Sequence, residues 1–336
     1  MNSNTKFEND IMAGLNEEIS APYNNIYWST FREGFKFQAL CSHLVFPCNK
    51  YDAIEIRSPE NCYLTQKYDL YSEHSLDEHI ECINKYRLEK AIVIAENIDF
   101  IKQCPSLRYL QISPAASAVD FDYSPLYNSS EFLWLSCDTV YGTDKNIATI
   151  DYSKIKGLKE LDIEGKGHFN YGEIATLERL CVSKDNEHCD LNHITGNTKL
   201  KDIILTLCSL TSLNGISELK ELQSIGLAYN RKLSDISQIS TLTSLKSLWI
   251  EKCAKITDFS FLEELTKLEH LGLIGSNKLD NLNFLKKMKK LKTLSLSMRV
   301  ADNDLTPCLD IPHVDLYKGY KGYNLKNKDL PKIIIH

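Results

Sequence analysis

Between residues 200 and 296 the apolar positions fall into one phrase, written five times. It consists of a leucine, two variable residues, an apolar residue, one variable residue and a further apolar residue. The copies begin at Leu200 (LKDIIL), Leu222 (LQSIGL), Leu245 (LKSLWI), Leu268 (LEHLGL) and Leu291 (LKTLSL), in steps of 22, 23, 23 and 23 residues. Alternation at the end of the phrase predicts a short strand that hides one set of side chains and shows the other. After each strand the chain turns, and Cys208, Asn230, Cys253 and Ser276 take the turn position, where a polar side chain satisfies backbone groups that the strand leaves open. A second apolar phrase brings the chain back, as in LSDISQISTL (233–242), ITDFSFLEEL (256–265) and LDNLNFLKKM (279–288). Asp235 and Asp258 stand where a helical turn takes its N-cap.

Less regular copies precede these. EKAIVIAEN places Ile92, Ile94 and Asn97 in the same spacing, and Leu107, Leu110 and Ile112, then Phe132, Leu135 and Cys137, then Leu158, Leu161 and Ile163 repeat it. Leu177, Leu180 and Val182 follow after only 19 residues, which predicts a short, extended return. IPHVDL (311–316) supplies the last strand, and ten or eleven parallel strands at ~4.8 Å make a sheet about 50 Å long.

The phrase and its period resemble the leucine-rich repeat of internalins and of the leucine-rich regulatory subunits of protein phosphatases, roughly 22 residues long. The likeness spans residues 88–317 and is tightest over 200–296. It implies an α/β solenoid, a curved leucine-rich repeat with a concave parallel sheet and a helical, 3-10 or irregular convex side. It further implies protein binding on the concave sheet, with no catalytic residues; no cofactor is expected. Because the motif consists of core positions, it carries over no functional residue.

Residues 1–87 do not repeat and are expected to form an N-terminal cap, because the first repeat of a solenoid otherwise exposes its leucines to water. Phe7, Ile11, Leu15 and Ile19 predict a short amphipathic helix, an aromatic stretch runs from Tyr23 to Phe37, YDAIEI (51–56) fits a first strand, and SLDEHIECINKY (75–86) a helix. Residues 318–336 close the other end, with Tyr317, Tyr320 and Tyr323 read as cap packing or an interaction edge.

Net charge and cysteines narrow the function. A formal charge of −6 and a pI near 5.9 argue against nucleic acid and for a basic protein partner. The first twenty residues lack the pattern of a secretory signal, and no apolar run reaches the ~20 residues of a membrane span. Eleven cysteines without a CxxC pair suit reduced thiols, so the expected setting is a reducing cytoplasm. A solenoid of this size without a visible signal is further expected to be bacterial and a monomer. His188, Cys189 and His193, with Cys181 nearby, are metal-ligand types at a spacing that matches no zinc motif. The lysines of LKKMKKLK (285–292) read as the wet face of a helical turn, and searches for phosphate loops, nucleophile elbows and HExxH find nothing.

If the leucines point inward, the residues between them line the concave sheet. Those columns nominate Tyr109, Trp134, Asp138, Glu160, Asp162, Glu164, Arg179, Trp249, Glu251, His270, His313 and Tyr317 as partner-binding residues. Asp138, Glu160, Asp162 and Glu164 gather like charge on adjacent strands, which suits a basic partner. Trp134 and Trp249 fall on outward columns, where large aromatics serve as anchors. The expected function is a protein-binding module, with a toxin-neutralising immunity protein as the preferred form. The alternatives are a regulatory subunit, an exported adhesion domain, or a hydrolase using the carboxylates.

Overall fold

The computed structural model describes residues 29–32, 35–38, 53–57, 74–127, 131–142 and 146–332. The expected helix over Phe7–Ile19 and the turn at Pro47 lie outside them. The chain divides into two compact units, Met1–Tyr171 and Gly172–His336.

Among its described residues the first unit holds seven strands of the main sheet, besides short two-residue pairs: β1 (Ser29–Arg32), β2 (Phe35–Gln38), β3 (Ala53–Arg57), β4 (Lys90–Ala95), β5 (Tyr109–Pro114), β6 (Trp134–Asp138) and β7 (Glu160–Glu164). β1, β2 and β3 pair antiparallel, and from β3 onward every neighbour is parallel and follows in chain order. The region read as a cap therefore contributes three strands, of which β2 runs against the direction of the repeats. Between β3 and β4 lies the expected helix, α1 (Leu76–Tyr86). Ser75 starts it with a capping box: its Oγ accepts the Glu78 N–H, and the Glu78 carboxylate accepts the Ser75 N–H at 2.7 Å.

Seven strands also make up the sheet of the second unit, all parallel: β8 (Arg179–Ser183), β9 (Asp202–Thr206), β10 (Ser224–Ala228), β11 (Ser247–Glu251), β12 (His270–Ile274), β13 (Thr293–Leu296) and β14 (His313–Leu316). The register stacks leucine on leucine. Ile203, Ile225, Leu248, Leu271, Leu294 and Val314 form one inward row and are buried. Each such side chain removes apolar surface worth on the order of 1.5–3 kcal/mol, so most of the stability lies between neighbouring repeats.

Turns and returns repeat as faithfully as the strands. Lys184, Leu207, Tyr229 and Lys252, each directly after a strand, have a positive φ of 51–57°. That twist aims the next side chain inward. Asn230 accepts the Cys208 N–H at 2.8 Å and donates to the Leu205 carbonyl at 2.8 Å, while the thiols of Cys208 and Cys253 reach carbonyls of the preceding strand. In the fourth copy the position belongs to Asn277 rather than the expected Ser276, since Gly275 lengthens the turn by one residue; its amide donates to the carbonyls of Cys253 and Ile256.

The return segments are short 3-10 helices such as Ser237–Thr241, Ser260–Glu264 and Asn283–Lys287. Asp235 and Asp258 start two of them by accepting the N–H two residues on, from Ser237 and Ser260, in Asx turns one residue ahead of the N-cap position. The return before Leu177 is not extended throughout, since Tyr171–Glu173 forms a 3-10 turn.

At the C-terminal end the edge of β14 is covered. The Val314 N–H donates to the Pro331 carbonyl, Lys332 Nζ to the Val314 carbonyl, and the Leu316 N–H to Asn327 Oδ1. Tyr320 and Tyr323 meet edge to face at 5.6 Å, and the Tyr320 hydroxyl donates to the Ser297 carbonyl. These two tyrosines pack the cap, whereas Tyr317 is 65% exposed.

Candidate functional site: the outward face of the sheet

Every nominated residue of the strands sits on the side of the sheet opposite the leucines, and the two units differ in how open that side is. In the first unit it is closed near the N-terminal strands. Glu55 is only 1% exposed, with Lys36 Nζ at 3.0 Å and Arg57 Nε at 3.0 Å from its Oε1. Alternation marks Lys36 and Glu55 as outward residues, yet nothing in the strand pattern signals that they are buried. Ile92 and Ile94, expected in the inward row, are one residue out of phase with it, since Ala91 and Val93 pair with Leu110 and Ile112. Ile92 is buried with Ala53 on the outward side and clusters with Trp134, with Tyr109 half-buried against them.

Trp134 thus departs from expectation. It lies on the outward column but is 6% exposed, and its Nε1 donates to Asp162 Oδ2 at 3.2 Å. The indole packs beside Ile92 and Tyr109, because a large ring on a face already lined with apolar side chains gains more by burial than by standing in water.

The carboxylates do come together. β6 and β7 run in register with Asp138 opposite Glu164 and Trp134 opposite Glu160. Asp138, Glu160 and Glu164 are exposed and Asp162 is half-buried. Ser113 Oγ donates to Asp138 Oδ2 at 2.5 Å. Lys and Arg number 16 against 25 Asp and Glu in residues 1–171, so the acidic strip lies on an acidic unit. Residues 172–336 hold 23 against 20.

On the second unit the face is open and lined with small side chains. Trp249 is 37% exposed, and its nearest column neighbours are Gly226 and Gly272. A Cβ on Gly272 would stand 2.1 Å from Cε3 of the indole, so the ring lies across that glycine. Trp249 Nε1 donates to Glu251 Oε2 at 3.2 Å, which fixes the ring from its other side. Lys252 stands 3.8 Å from Glu251 and donates to the Tyr229 hydroxyl at 2.8 Å, an interaction that raises the lysine pKa.

The other nominated residues are spread along the strands. Arg179 faces Asp202 across β8 and β9, with Nε 3.4 Å from the carboxylate. His270 meets the Thr293 hydroxyl at 2.8 Å on the exposed surface. His313 lies 3.0 Å from Asp315, which also receives Lys332 at 2.7 Å; the Lys332 hydrogen bond, then that of His313, holds the Asp315 carboxyl below its ordinary range. Arg179 therefore serves first as a cross-strand partner of Asp202, and His313 as a partner of Asp315 on its own strand.

Off this face, the metal-ligand types of the sequence reappear in another combination. His188 and His193 stack at 3.6 Å and are joined by Asp185, a residue outside any zinc-motif spacing, while Cys181 lies buried on the outward side of β8. Burial, and then the neighbouring His188, push His193 down to about 4. The cysteines of the described residues are free thiols, seven of eight buried, and burial raises the pKa of Cys82, Cys137, Cys208 and Cys308 among them. Among the described residues no helix is long and apolar enough to cross a membrane.

A stack of parallel strands in chain order, returning through 3-10 turns with Asn or Cys rungs, is decisive for the architecture. The chain has the leucine-rich repeat fold. An internalin of Listeria monocytogenes, InlF, superposes with a TM-score of 0.50 at 21% identity over 68% of this chain and 66% of its own. The functional domain of InlJ from the same organism, which includes a cysteine ladder, aligns at 0.46 and 19% over 66% of this chain and 50% of its own. Internalin C2, also of Listeria monocytogenes, aligns at 0.41 and 17%, over 64% and 82%. The chain spans about two thirds of InlF and half of the InlJ domain. No family model and no curated protein matches it. What InlF shares with this leucine-rich repeat chain is the fold.

Proposed function

We propose that this leucine-rich repeat chain is a protein-binding module that takes a protein partner on the outward face of its sheet. The observation that carries this reading is Trp249: a large aromatic held rigidly on a regular sheet, among glycines and serines, with more than a third of its surface in water. Hot spots of protein interfaces are rich in such anchors, and a ring already fixed by Gly272 and Glu251 loses little freedom on binding. Small neighbours leave room for a partner side chain beside the ring.

The acidic strip Asp138–Glu160–Glu164 supports a basic partner, since like charges on adjacent strands are relieved when cations are brought to them. The finer proposal is a neutralising role of the immunity type, in which this chain covers a basic protein that would otherwise harm the cell that makes it. Free, buried thiols support a reducing cytoplasm as the setting.

The test is capture from lysate of the native cell. Trp249→Ala and the pair Glu160→Lys with Glu164→Lys should each lose a protein that the parent chain and a Lys287→Ala control retain. Identification of that protein as basic and harmful when expressed alone would support neutralisation. Capture unchanged in both face variants would refute binding through this face.

A further inference from the structure

Behind β8 to β12 of the second unit each turn delivers one buried residue, the rung of the repeat. Cys208, Asn230, Cys253 and Asn277 fill this rung with neutral groups, but at the first rung stands a buried aspartate, Asp185. A buried carboxylate is costly unless several partners answer it. Asp185 Oδ1 accepts the N–H of Glu187 at 2.8 Å and of His188 at 3.3 Å, and its Oδ2 lies 2.9 Å from His188 Nδ1. His193 stacks on His188 with the ring planes 12° apart. One ligand atom from each of Asp185, His188 and His193 lies within 4.8 Å of the other two.

We propose that Asp185, His188 and His193 bind one divalent cation of the zinc class. Two imidazoles and a carboxylate suit Zn, Co or Ni rather than Ca or Mg, which take oxygen ligands. The three residues fit within one nine-residue loop whose backbone is already fixed. Asp185 is held by its two N–H donors, the Ile194 N–H donates to the Leu191 carbonyl, and the Leu191 N–H donates to the Asn214 carbonyl of the next repeat. Both rings are half-buried, so an ion reaches them from solvent and keeps a water ligand.

Binding exchanges the stack for chelation. Stacked rings aim their in-plane lone pairs side by side, so one ring turns about its own side-chain bonds to bring its nitrogen to ~2.0–2.1 Å from the ion. Three ligands so joined clip the loop 185–193 to the rung beneath it.

The experiment uses the full chain, stripped with chelator and titrated with zinc chloride alone by calorimetry, then with cobalt(II) by absorption. One equivalent should bind. His193→Gln should weaken it by about 100-fold or more, since loss of even an outer-shell partner of a metal ligand costs about 10–100-fold. Asp185→Asn should do the same, and it keeps the fold because asparagine already fills this rung at Asn230 and Asn277. Cys189, the exposed thiol of the same loop, should be dispensable: Cys189→Ser retains the equivalent, and the cobalt spectrum lacks a thiolate charge-transfer band. Three outcomes would each overturn the proposal: no binding at 100-micromolar zinc, full binding in His188→Gln/His193→Gln with native near-ultraviolet dichroism, or binding lost in Cys189→Ser and kept in His193→Gln.

Discussion

The indole of Trp249 occupies the space that a side chain at position 272 would need, so Gly272 on the neighbouring strand sets the attitude of the ring. Gly226, on the other side, is not so constrained: a Cβ there would meet Ile204 at 3.4 Å, an ordinary contact.

Gly272→Ala should therefore lift the ring and weaken partner binding nearly as much as Trp249→Ala, by about 2 kcal/mol or more if Trp249 is a hot spot. Gly226→Ala should bind as the parent does. Affinities of the three variants for the captured partner, with tryptophan fluorescence to report ring exposure, check this; equal affinity of Gly272→Ala and parent would remove the indole from the interface.

Stability should follow the rows of the sheet. Leu271 is buried between Leu248 and Leu294, and Leu271→Ala should cost about 2–5 kcal/mol. Glu269→Ala removes an exposed pair with Lys292 and should leave the midpoint close to that of the parent. Urea unfolding midpoints separate them, and equal midpoints would contradict the assigned phase.

How much of this the sequence shows depends on whether a position speaks for itself. Leu248, Leu271 and Leu294 are legible because burial repeats with the period, and alternation places Trp249 and Glu251 outward for the same reason. Trp134 obeys that alternation too, but its burial depends on Ile92 and Ala53, residues far away in sequence that bring apolar surface to the outward side. Two strands at the N-terminal edge join by antiparallel pairing, and no repeat announces them. Asp185 escapes notice because zinc-motif spacing asks only for Cys and His, whereas the rung pattern, with an acid where neighbours carry Asn or Cys, is the signal that finds it.

The rung at Asn230 should be more sensitive than its size suggests. Asn230→Ala strands the Cys208 N–H and the Leu205 carbonyl in the interior, at about 1–3 kcal/mol each. Cys208→Ala loses only weak thiol contacts. Thermal midpoints should fall much further for the first, and the reverse order would show that the turn is held by something else.

Acid should weaken the fold in two stages. Burial holds His193 at about 4 and lowers His79 as well, against an ordinary 6.5. The unfolded chain then takes up these protons first, so the stability present above about pH 6.5 declines as pH falls toward 4. Hydrogen bonds from Ser237, Ser260 and Thr306 hold the carboxyls of Asp235, Asp258 and Asp304 below their ordinary 3.8, and that contribution is lost only below this range. Urea midpoints measured from pH 7 to 4.5 should fall for the parent and fall less for His193→Gln; identical slopes would exclude a part for His193.

The seal formed by Pro331, Lys332 and Asn327 over β14 ends the ladder of backbone groups that would otherwise welcome another strand. A further repeat could pair with β14 only by displacing this seal, and removal of Asn327, Pro331 and Lys332 would leave the edge open as a template for fibre-like self-association.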